Sequence, residues 1–204
     1  MKLKICGLKN LDNLLEVTGK IKPDYVGHIF YPKSKRFIED RATVTTPISP
    51  ARVGVFVNET NEKILDFTDN TQIYTLQLHG SESPEQCQQL QKKGYRIIKA
   101  FGIDEEFDFN TLNEYKYSCD YYLFDTKSPQ HGGTGKSFNW ELLKKYNNNK
   151  PLFLSGGLSL ENIDNRLKDF NIYALDVNSK FESSPGIKDL DLLLQLREKL
   201  DKLV

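Results

Sequence analysis

The sequence has few cysteines and no excess of either charge. Its three cysteines, Cys6, Cys87 and Cys119, are too few and too scattered for a disulfide framework or a zinc site. Lys plus Arg number 28 and Asp plus Glu also number 28, so the overall charge points to neither a nucleic acid nor a membrane surface as a partner. Cys87 and Cys119 are therefore interpreted as packing residues, and we expect no nucleic-acid partner.

Long hydrophobic runs are also missing. No window approaches the ~18 apolar residues that a membrane helix requires, and the N-terminal MKLKICGL contains no apolar core of a signal peptide. We therefore expect a cytoplasmic protein without a membrane partner. Hydrophobic residues make up 38% of the 204 residues and charged residues 27%, which is enough apolar material for a packed core.

Short β-branched and aromatic runs recur along the chain and alternate with longer segments of helical character. Eight of these runs predict strands, at 3–6, 25–30, 52–57, 73–79, 96–101, 121–125, 152–155 and 173–177. Successive runs are separated by roughly the length of one strand-plus-helix unit. The pattern predicts an α/β fold, a lean single-domain (β/α)8 barrel over residues 1–204. A doubly wound sheet has the same alternation and is the alternative.

The segments between the strands differ in their helix signals. Ser83 and Pro84 predict a capped helix start, and Gly94 is placed to end that helix. Residues 39–51 are rich in β-branched residues and contain Pro47 and Pro50, so helix propensity is poor there. We therefore predict that the second helix is degraded or missing.

Two further helices are predicted near the C-terminus. Ser159 is placed to cap a helix that carries Ile163, Leu167 and Phe170 on one face. The last segment of the chain carries a broad apolar stripe, which is expected to pack on the barrel. The members of this stripe are Leu190, Leu193, Leu194, Leu200 and Leu203.

In a barrel, the residues that carry function lie at the carboxyl ends of the strands and in the following loops. Cys6 ends the first predicted strand and is either a small packing residue or a general base. Asp125 ends the sixth, where a carboxylate is costly unless it is paired or functional. Gln77 and His79 end the fourth, and His79 is either a supporting donor or a satisfied histidine at the rim.

Two other positions suit anions. Gly156 and Gly157 follow the seventh predicted strand, and exposed backbone N–H groups near a helix N-terminus suit a phosphate. The residues after the eighth strand strengthen this reading, because barrels frequently build a phosphate site from these two loops. Arg36, in the loop after the second strand, either binds an anion bidentately or belongs to a solvated basic loop.

The stretch GGTGKS at 132–137 ends like a nucleotide-binding P-loop. That motif requires a glycine five positions before Gly135, where this chain has Gln130. ATP binding is therefore disfavoured. The three histidines, His28, His79 and His131, give no metal-ligand spacing, so no metal site is expected.

Seven collinear segments together resemble the phosphoribosylanthranilate isomerase family, the tryptophan-biosynthetic members of the ribulose-phosphate-binding barrels. They are KICGL at 4–8, GHIFYPKSKRF at 27–37, VGVFVN at 53–58, QLHG at 77–80, LFDTKSPQHGGTGKSFNW at 123–140, LSGGL at 154–158 and ALDVNSKFESSPGIKD at 174–189. The resemblance implies an Amadori rearrangement of N-(5'-phosphoribosyl)anthranilate by general acid–base catalysis. That chemistry needs neither a metal nor a redox cofactor.

The resemblance also implies roles for individual residues. Cys6 would be the general base that removes the proton from C2, and Asp125 the general acid that opens the sugar ring. Arg36 would hold the anthranilate carboxylate, Asp176 would bind ribose hydroxyls, and Gln77 and His79 would complete the substrate contacts. The phosphate site would include Gly156, Gly157, Asn178 and Ser179.

The chain departs from the family pattern in a few places. Asn178, Ser179 and Lys180 stand where many members have Ser-Ser-Gly, and His28 stands where an aromatic residue is usual. A related histidine-pathway isomerase and a catalytically silent phosphate-binding barrel are the competing hypotheses. The first typically has Asp where this chain has Cys6, and the second would not need Cys6 or Asp125. We expect a small phosphoribosyl substrate as partner, and a monomer or a homodimer.

Overall fold

Eight parallel strands close into a barrel in the computed structural model, which describes residues 1–127, 137–147 and 149–203. Each strand pairs with its neighbours in chain order, and the eighth pairs with the first. The strands are β1 (Lys2–Cys6), β2 (Tyr25–Ile29), β3 (Ala51–Phe56), β4 (Ile73–Leu78), β5 (Arg96–Ile103), β6 (Tyr121–Thr126), β7 (Leu152–Leu154) and β8 (Ile172–Val177). The predicted (β/α)8 barrel is confirmed, and the doubly wound alternative is wrong because β8 closes on β1.

The helices outside the barrel are of unequal quality. The α-helices are α1 (Leu11–Ile21), α2 (Ala42–Thr45), α3 (Asn61–Thr68), α4 (Pro84–Lys92) and α5 (Leu190–Lys202). The segments after β5, β6, β7 and β8 form 3-10 helices at Phe109–Tyr115, Trp140–Lys145, Asn165–Asp169 and Ser179–Phe181. A short hairpin, β9 (Glu182–Ser184) with β10 (Ile187–Lys188), precedes α5. None of the helices in the described ranges is long and apolar enough to cross a membrane.

The predicted degradation of the second helix is confirmed, since α2 is a single turn. Arg52, on the outer side of β3, lies buried beneath it. Its guanidinium donates to the carbonyl of Thr43 at 2.8 Å and to that of Thr46, and contacts His28 Nε2 at 2.8 Å. Burial and the nearby Arg52 charge lower the pKa of His28 to about 3, so the neutral imidazole accepts from Arg52. An arginine thus satisfies carbonyls that a longer helix would have paired internally.

The helix predicted after Ser159 is wrong. Asn162 accepts the backbone N–H of Ser159 at 2.9 Å and donates to the carbonyl of Gly157 at 2.8 Å. Only a single turn forms here, in which the N–H of Ile163 donates to the carbonyl of Ser159 at 3.1 Å. The 3-10 helix that follows begins only at Asn165. Any anion site at the glycines therefore cannot rely on an α-helix N-terminus.

Helices α4 and α5 largely follow the sequence prediction. The Ser83 side chain accepts the N–H of Gln86 at 3.2 Å, and Gly94 adopts a left-handed φ of 96° after the helix. On α5, Leu193 and Leu200 are buried as predicted. Leu194 is 39% exposed, so the prediction that it belongs to the buried stripe is wrong. The buried residue is instead Leu196, which lies three residues from Leu193 and four from Leu200 on the same helix face.

The barrel interior has two chemically different ends. At the amino ends of the strands, Tyr25, Tyr121, Phe153 and Tyr173 pack with ring centroids 5.4–5.5 Å apart. We call these four residues the amino-end aromatic cluster. At the carboxyl ends, the interior side chains are polar and include Lys4, which is completely buried. The candidate site of the barrel is therefore confined to the carboxyl-end mouth.

Candidate active site

A continuous row of polar side chains crosses the carboxyl-end mouth of the barrel. Lys4 Nζ lies 2.8 Å from Asp176 Oδ2 and 2.7 Å from Gln77 Oε1. Gln77 Nε2 lies 2.6 Å from His79 Nδ1, and His79 Nε2 lies 3.2 Å from Asp125 Oδ2. We call these five residues the carboxyl-end network. It joins four candidates from the sequence to Lys4, which sequence analysis missed.

Lys4 and Asp176 form the most deeply buried part of this network, with side-chain exposures of 0% and 4%. Burial disfavours charge on Lys4, but Asp176 and Cys6 outweigh it, so the pKa of Lys4 stands above its usual value. Burial raises the pKa of Asp176, and the attraction of Lys4 opposes that rise. Asp176 Oδ1 is buried and has no hydrogen-bond partner within the part of the chain that the structure describes. This acceptor is suited to a ligand hydroxyl.

Cys6 ends β1, two residues beyond Lys4 on the same face of the strand. The close approach of β2 explains Gly27, because a Cβ there would lie 2.6 Å from the Cys6 sulfur. Burial raises the pKa of the thiol, and the ammonium groups of Lys4 and Lys188 work against that rise. The free thiol is therefore protonated at neutral pH, next to two cations that favour its thiolate.

Asp125 is the last residue but one of β6 and is 7% exposed. Its Oδ1 accepts the N–H of Thr126 at 2.8 Å, and its Oδ2 faces His79. The loop after β7 passes directly over it: a Cβ at Gly156 would lie 2.9 Å from Asp125 Oδ1. The backbone at Gly156 is also left-handed, with φ of 91°, so both sterics and conformation require glycine there.

The loop that carries His79 is fixed by a second buried ion pair. Lys99 Nζ lies 3.2 Å from Glu82 Oε2, and the two side chains are 2% and 0% exposed. Lys99 also donates to the carbonyl of Gly80 at 2.7 Å, while Glu82 accepts the N–H of Gly80 at 2.9 Å. The segment next to His79 is thus bound from both sides, which holds the imidazole in place.

Arg36 lies at the rim and is oriented by Glu182 of the β9–β10 hairpin. Arg36 Nε donates to Glu182 Oε1 at 2.9 Å, and its Nη2 donates to Oε2 at 2.7 Å. Burial opposes ionisation of Glu182, but Arg36 and Lys188 outweigh it and hold the pKa of that carboxyl below its usual value. In the described residues Nη1 of Arg36 makes no hydrogen bond, so one edge of the guanidinium remains open to an anion.

Lys188 connects this rim to the barrel interior. Its ammonium donates to Glu182 Oε1 at 2.7 Å and to Asn178 Oδ1 at 2.8 Å. Burial lowers the pKa of Lys188 to about 8. Sequence analysis missed Lys188 and Glu182, although both lie in the segment 174–189 that carried the resemblance. Charged residues within that segment were the available signal, but their burial could not be predicted from the sequence.

The candidate phosphate residues lie in the loops after two neighbouring strands, β7 and β8. Gly156 and Gly157 both have positive φ, 91° and 64°, so the backbone turns sharply there. Ser179 opens the short 3-10 helix after β8, and the Asn178 side chain is already engaged by Lys188. The GGTGKS stretch lies outside the described residues apart from its final Ser137, so its predicted failure as a P-loop remains a sequence argument.

A closed eight-stranded barrel with acid–base side chains converging at its carboxyl-end mouth defines a (β/α)8-barrel enzyme. A model of the family described as N-(5'phosphoribosyl)anthranilate (PRA) isomerase matches residues 3–199. The chain belongs to this family, and the resemblance seen in the sequence is confirmed.

Individual relatives agree with this assignment. The N-(5'-phosphoribosyl)anthranilate isomerase of Parabacteroides distasonis is 42% identical over 201 residues, covering 95% of this chain and 90% of that protein. A solved structure of phosphoribosyl anthranilate isomerase in complex with reduced 1-(o-carboxyphenylamino)-1-deoxyribulose 5-phosphate superposes with a TM-score of 0.85 at 36% identity, covering 100% of both chains. A structure of monomers of the dimeric Thermotoga maritima enzyme gives a TM-score of 0.86 at 36% identity, again covering 100% of both chains.

Proposed function

We propose that this chain catalyses the Amadori rearrangement of N-(5'-phosphoribosyl)anthranilate to 1-(2-carboxyphenylamino)-1-deoxyribulose 5-phosphate, a step of tryptophan biosynthesis. The observation that carries the proposal is that a thiol and a carboxyl group, Cys6 and Asp125, end two strands at the same mouth of the barrel. An isomerisation of this kind needs one group that donates a proton and one that removes a proton. The solved complex of a relative with a reduced form of this product supports the substrate class.

Asp125 is the proposed general acid. It gives its proton to the furanose ring oxygen, the ring C–O bond breaks, and the open-chain Schiff base forms. The carboxyl group is 7% exposed. His79 and the backbone around Gly156 limit how the carboxyl group can turn.

Cys6 is the proposed general base. Its thiolate removes the proton from C2, the C2–H electron pair forms the C1=C2 double bond, and the C=N pair moves to nitrogen. The resulting enolamine then tautomerises to the ketone. Because burial raises the pKa of the free thiol, the reactive form requires that the thiol proton leave. A protonated Asp125 with a Cys6 thiolate has the same net charge as an ionised Asp125 with a Cys6 thiol. The active state therefore differs from the resting state only in which of the two groups carries the proton, and it forms without net uptake of protons.

The binding residues follow from the open hydrogen-bonding positions. Arg36 offers its free edge to the anthranilate carboxylate, and Asp176 offers the unpaired Oδ1 to a ribose hydroxyl. The phosphate is bound by the loops after β7 and β8, with Gly156, Gly157 and Ser179 as backbone donors and Asn178 held nearby by Lys188. Gln77 and His79 border the sugar and orient Asp125.

Three further properties are proposed for this chain: its domain organisation, its location and its oligomeric state. We infer that residues 1–204 form one catalytic domain that works in the cytoplasm on a small phosphoribosyl substrate. A relative from Thermotoga maritima is described as dimeric, and the structure is of its monomers. We propose that this chain is likewise a monomer or a homodimer.

The decisive experiment is loss of the fluorescence of N-(5'-phosphoribosyl)anthranilate when purified protein is added. We expect turnover by the wild type and a loss of about 10²–10⁴-fold in the Cys6→Ala variant, because a general base contributes this much. Circular dichroism confirms that the variant is folded. Absence of turnover by folded wild-type protein would reject the proposal. Binding of the reduced product without turnover would instead indicate a silent barrel, and turnover of the histidine-pathway aminoaldose would indicate the related isomerase.

A further inference from the structure

We propose that Lys4 is a positioning residue: it fixes the direction of the hydrogen bonds from Gln77 to His79 to Asp125, and so the tautomer of His79. In that tautomer the imidazole donates to Asp125 and so fixes the orientation of its carboxyl group. The inference rests on the proposed function only for the role of Asp125 as the acid. The hydrogen-bond direction itself follows from the contacts of the free protein.

The direction begins at Lys4, because an ammonium group can only donate hydrogen bonds. Its two carboxyl-end partners, Asp176 Oδ2 at 2.8 Å and Gln77 Oε1 at 2.7 Å, are both acceptors. Lys4 is 0% exposed, so it cannot exchange these partners for water. The amide oxygen of Gln77 therefore faces Lys4 and the amide nitrogen faces away from it.

The second bond fixes His79. Gln77 Nε2 lies 2.6 Å from His79 Nδ1, and an amide nitrogen can only donate. Nδ1 must then be the unprotonated, accepting nitrogen of the ring. A neutral imidazole carries its single proton on the other nitrogen, so the proton of His79 is on Nε2. An imidazolium would place two donors against each other at this contact.

The third contact joins His79 to Asp125, whose Oδ2 lies 3.2 Å from His79 Nε2. Nε2 already bears a proton and has no lone pair to offer there. Nε2–H can only donate there, so Asp125 Oδ2 is the acceptor. Oδ1 accepts the N–H of Thr126 at 2.8 Å, so each carboxyl oxygen is held by one donor. The hydrogen-bond direction set by Lys4 therefore fixes the orientation in which Asp125 faces the sugar oxygen.

The same ammonium group also borders Cys6. Its charge and a hydrogen bond to the sulfur favour the thiolate, against the effect of burial. Lys4 thus acts at both ends of the site: it orients Asp125 through Gln77 and His79, and it favours the thiolate of Cys6. This position between the two groups distinguishes it from Lys99, which is also buried and paired but contacts neither of them.

The test is nitrogen-15 NMR of the histidine rings in the free protein, since the chain has only three histidines. We expect His79, assigned by its loss in His79→Gln, to be neutral with its proton on Nε2 near pH 7.5. The matched variant is Gln77→Glu, which keeps the side-chain size but presents an oxygen to Nδ1. In it Nδ1 of His79 should carry a proton, while the signals of His28, which is buried outside the carboxyl-end network, should not change.

A second variant connects the tautomer to turnover. Lys4→Met should release the Gln77 amide, give a mixture of His79 tautomers, and lower kcat by about tenfold or more with little change in KM, since part of the acid–base contribution is lost. If Lys4→Met does not fold, Gln77→Leu removes the same link without leaving a buried charge unpaired. A wild-type His79 protonated on Nδ1, or an unchanged tautomer in Gln77→Glu, would overturn the inference. Absence of turnover would reject the proposed function but leave the tautomer result as an independent finding.

Discussion

The two ends of the barrel interior are built by the same strands but from opposite chemistry. β6 places Tyr121 in the amino-end aromatic cluster and Asp125 at the carboxyl-end mouth, four residues further along the same face. At the amino end the hydroxyls of Tyr25 and Tyr173 lie 2.8 Å apart and satisfy one another, and the Lys2 ammonium lies over both rings. At the carboxyl end the side chains are charged or titratable and leave an acceptor of Asp176 unpaired. Stability and reactivity are therefore separated along the barrel axis.

This separation has an electrostatic basis. The aromatic cluster closes the interior below the carboxyl-end network, so Lys4 and Asp176 lie in a region of low polarity. Interactions between charges are stronger there than in water, and unpaired charges cost more. The pairing of Lys4 with Asp176 is what makes a buried ammonium group possible next to Cys6.

The largest expected difference between the two ends is in turnover. Asp125→Asn removes the proposed proton donor while keeping the shape of the side chain, so kcat should fall by about 10²–10⁴-fold. Tyr121→Phe, at the other end of the same strand, removes one hydroxyl far from the chemistry and should leave kcat within about twofold, since it makes no contact with the carboxyl-end network. Steady-state assays of both variants check this. Equal losses in the two variants would contradict the separation.

The second difference is in stability, where a substitution at the amino end is expected to have the larger effect. Phe153 is fully buried and packs against Tyr25, Tyr121 and Tyr173. Phe153→Ala should lower the free energy of unfolding by about 3–5 kcal/mol, because a large buried side chain is replaced by a cavity. Urea unfolding followed by circular dichroism measures this change. The comparison breaks down if Asp125→Asn proves more destabilising than Phe153→Ala.

The third prediction concerns the rim, where binding rather than chemistry is expected. Arg36→Lys removes the planar fork that contacts Glu182 and presents its free edge to a carboxylate. KM should rise about tenfold with kcat nearly unchanged, since a charged hydrogen bond contributes about 1.5–3 kcal/mol. The matched control is Arg41→Lys, on an exposed arginine that donates only to the carbonyl of Asp69. A fall in kcat without a change in KM would place Arg36 in the chemical step instead.

Much of the scaffold could be predicted from the sequence because it depends on local patterns. Alternating apolar residues located all eight strands, and β-branched residues with Pro47 and Pro50 correctly predicted a degraded α2. After Ser159 only one turn forms, and the chain continues as a 3-10 helix from Asn165 in place of the predicted α-helix. The apolar periodicity correctly predicted that Ile163 and Leu167 are buried, but it did not determine the type of helix.

Only some residues of the candidate site could be predicted from the sequence, and the reason differs from that for the scaffold. Cys6 and Asp125 could be found because residues that end strands converge in a barrel. Lys4 could not, because a lysine inside a strand is usually exposed, and its burial depends on Asp176, a partner from the other end of the chain. Glu182 was missed for the same reason, because its partner Arg36 lies 146 residues earlier in the chain. Long-range pairing of charges is a property of the fold and has no local sequence pattern.

The smallest expected effect concerns His28, a titratable group buried in the wall and outside both ends of the interior. Its pKa in the folded protein is lowered to about 3 by burial and by Arg52, whereas an unfolded histidine titrates near 6.5. Between these values the unfolded chain binds the extra proton, so stability is present above about pH 6.5 and is lost as pH falls toward 3. The loss should reach at most about 1.4 kcal/mol per pH unit. His28→Gln, whose amide oxygen can still accept from Arg52, should remove this part of the pH dependence in urea unfolding between pH 7 and 4.5, while its kcat at pH 7.5 stays at the wild-type value. An unchanged slope of the unfolding free energy against pH would show that His28 titrates alike in the folded and unfolded states. A changed kcat would show that the barrel wall around His28 affects the carboxyl-end mouth.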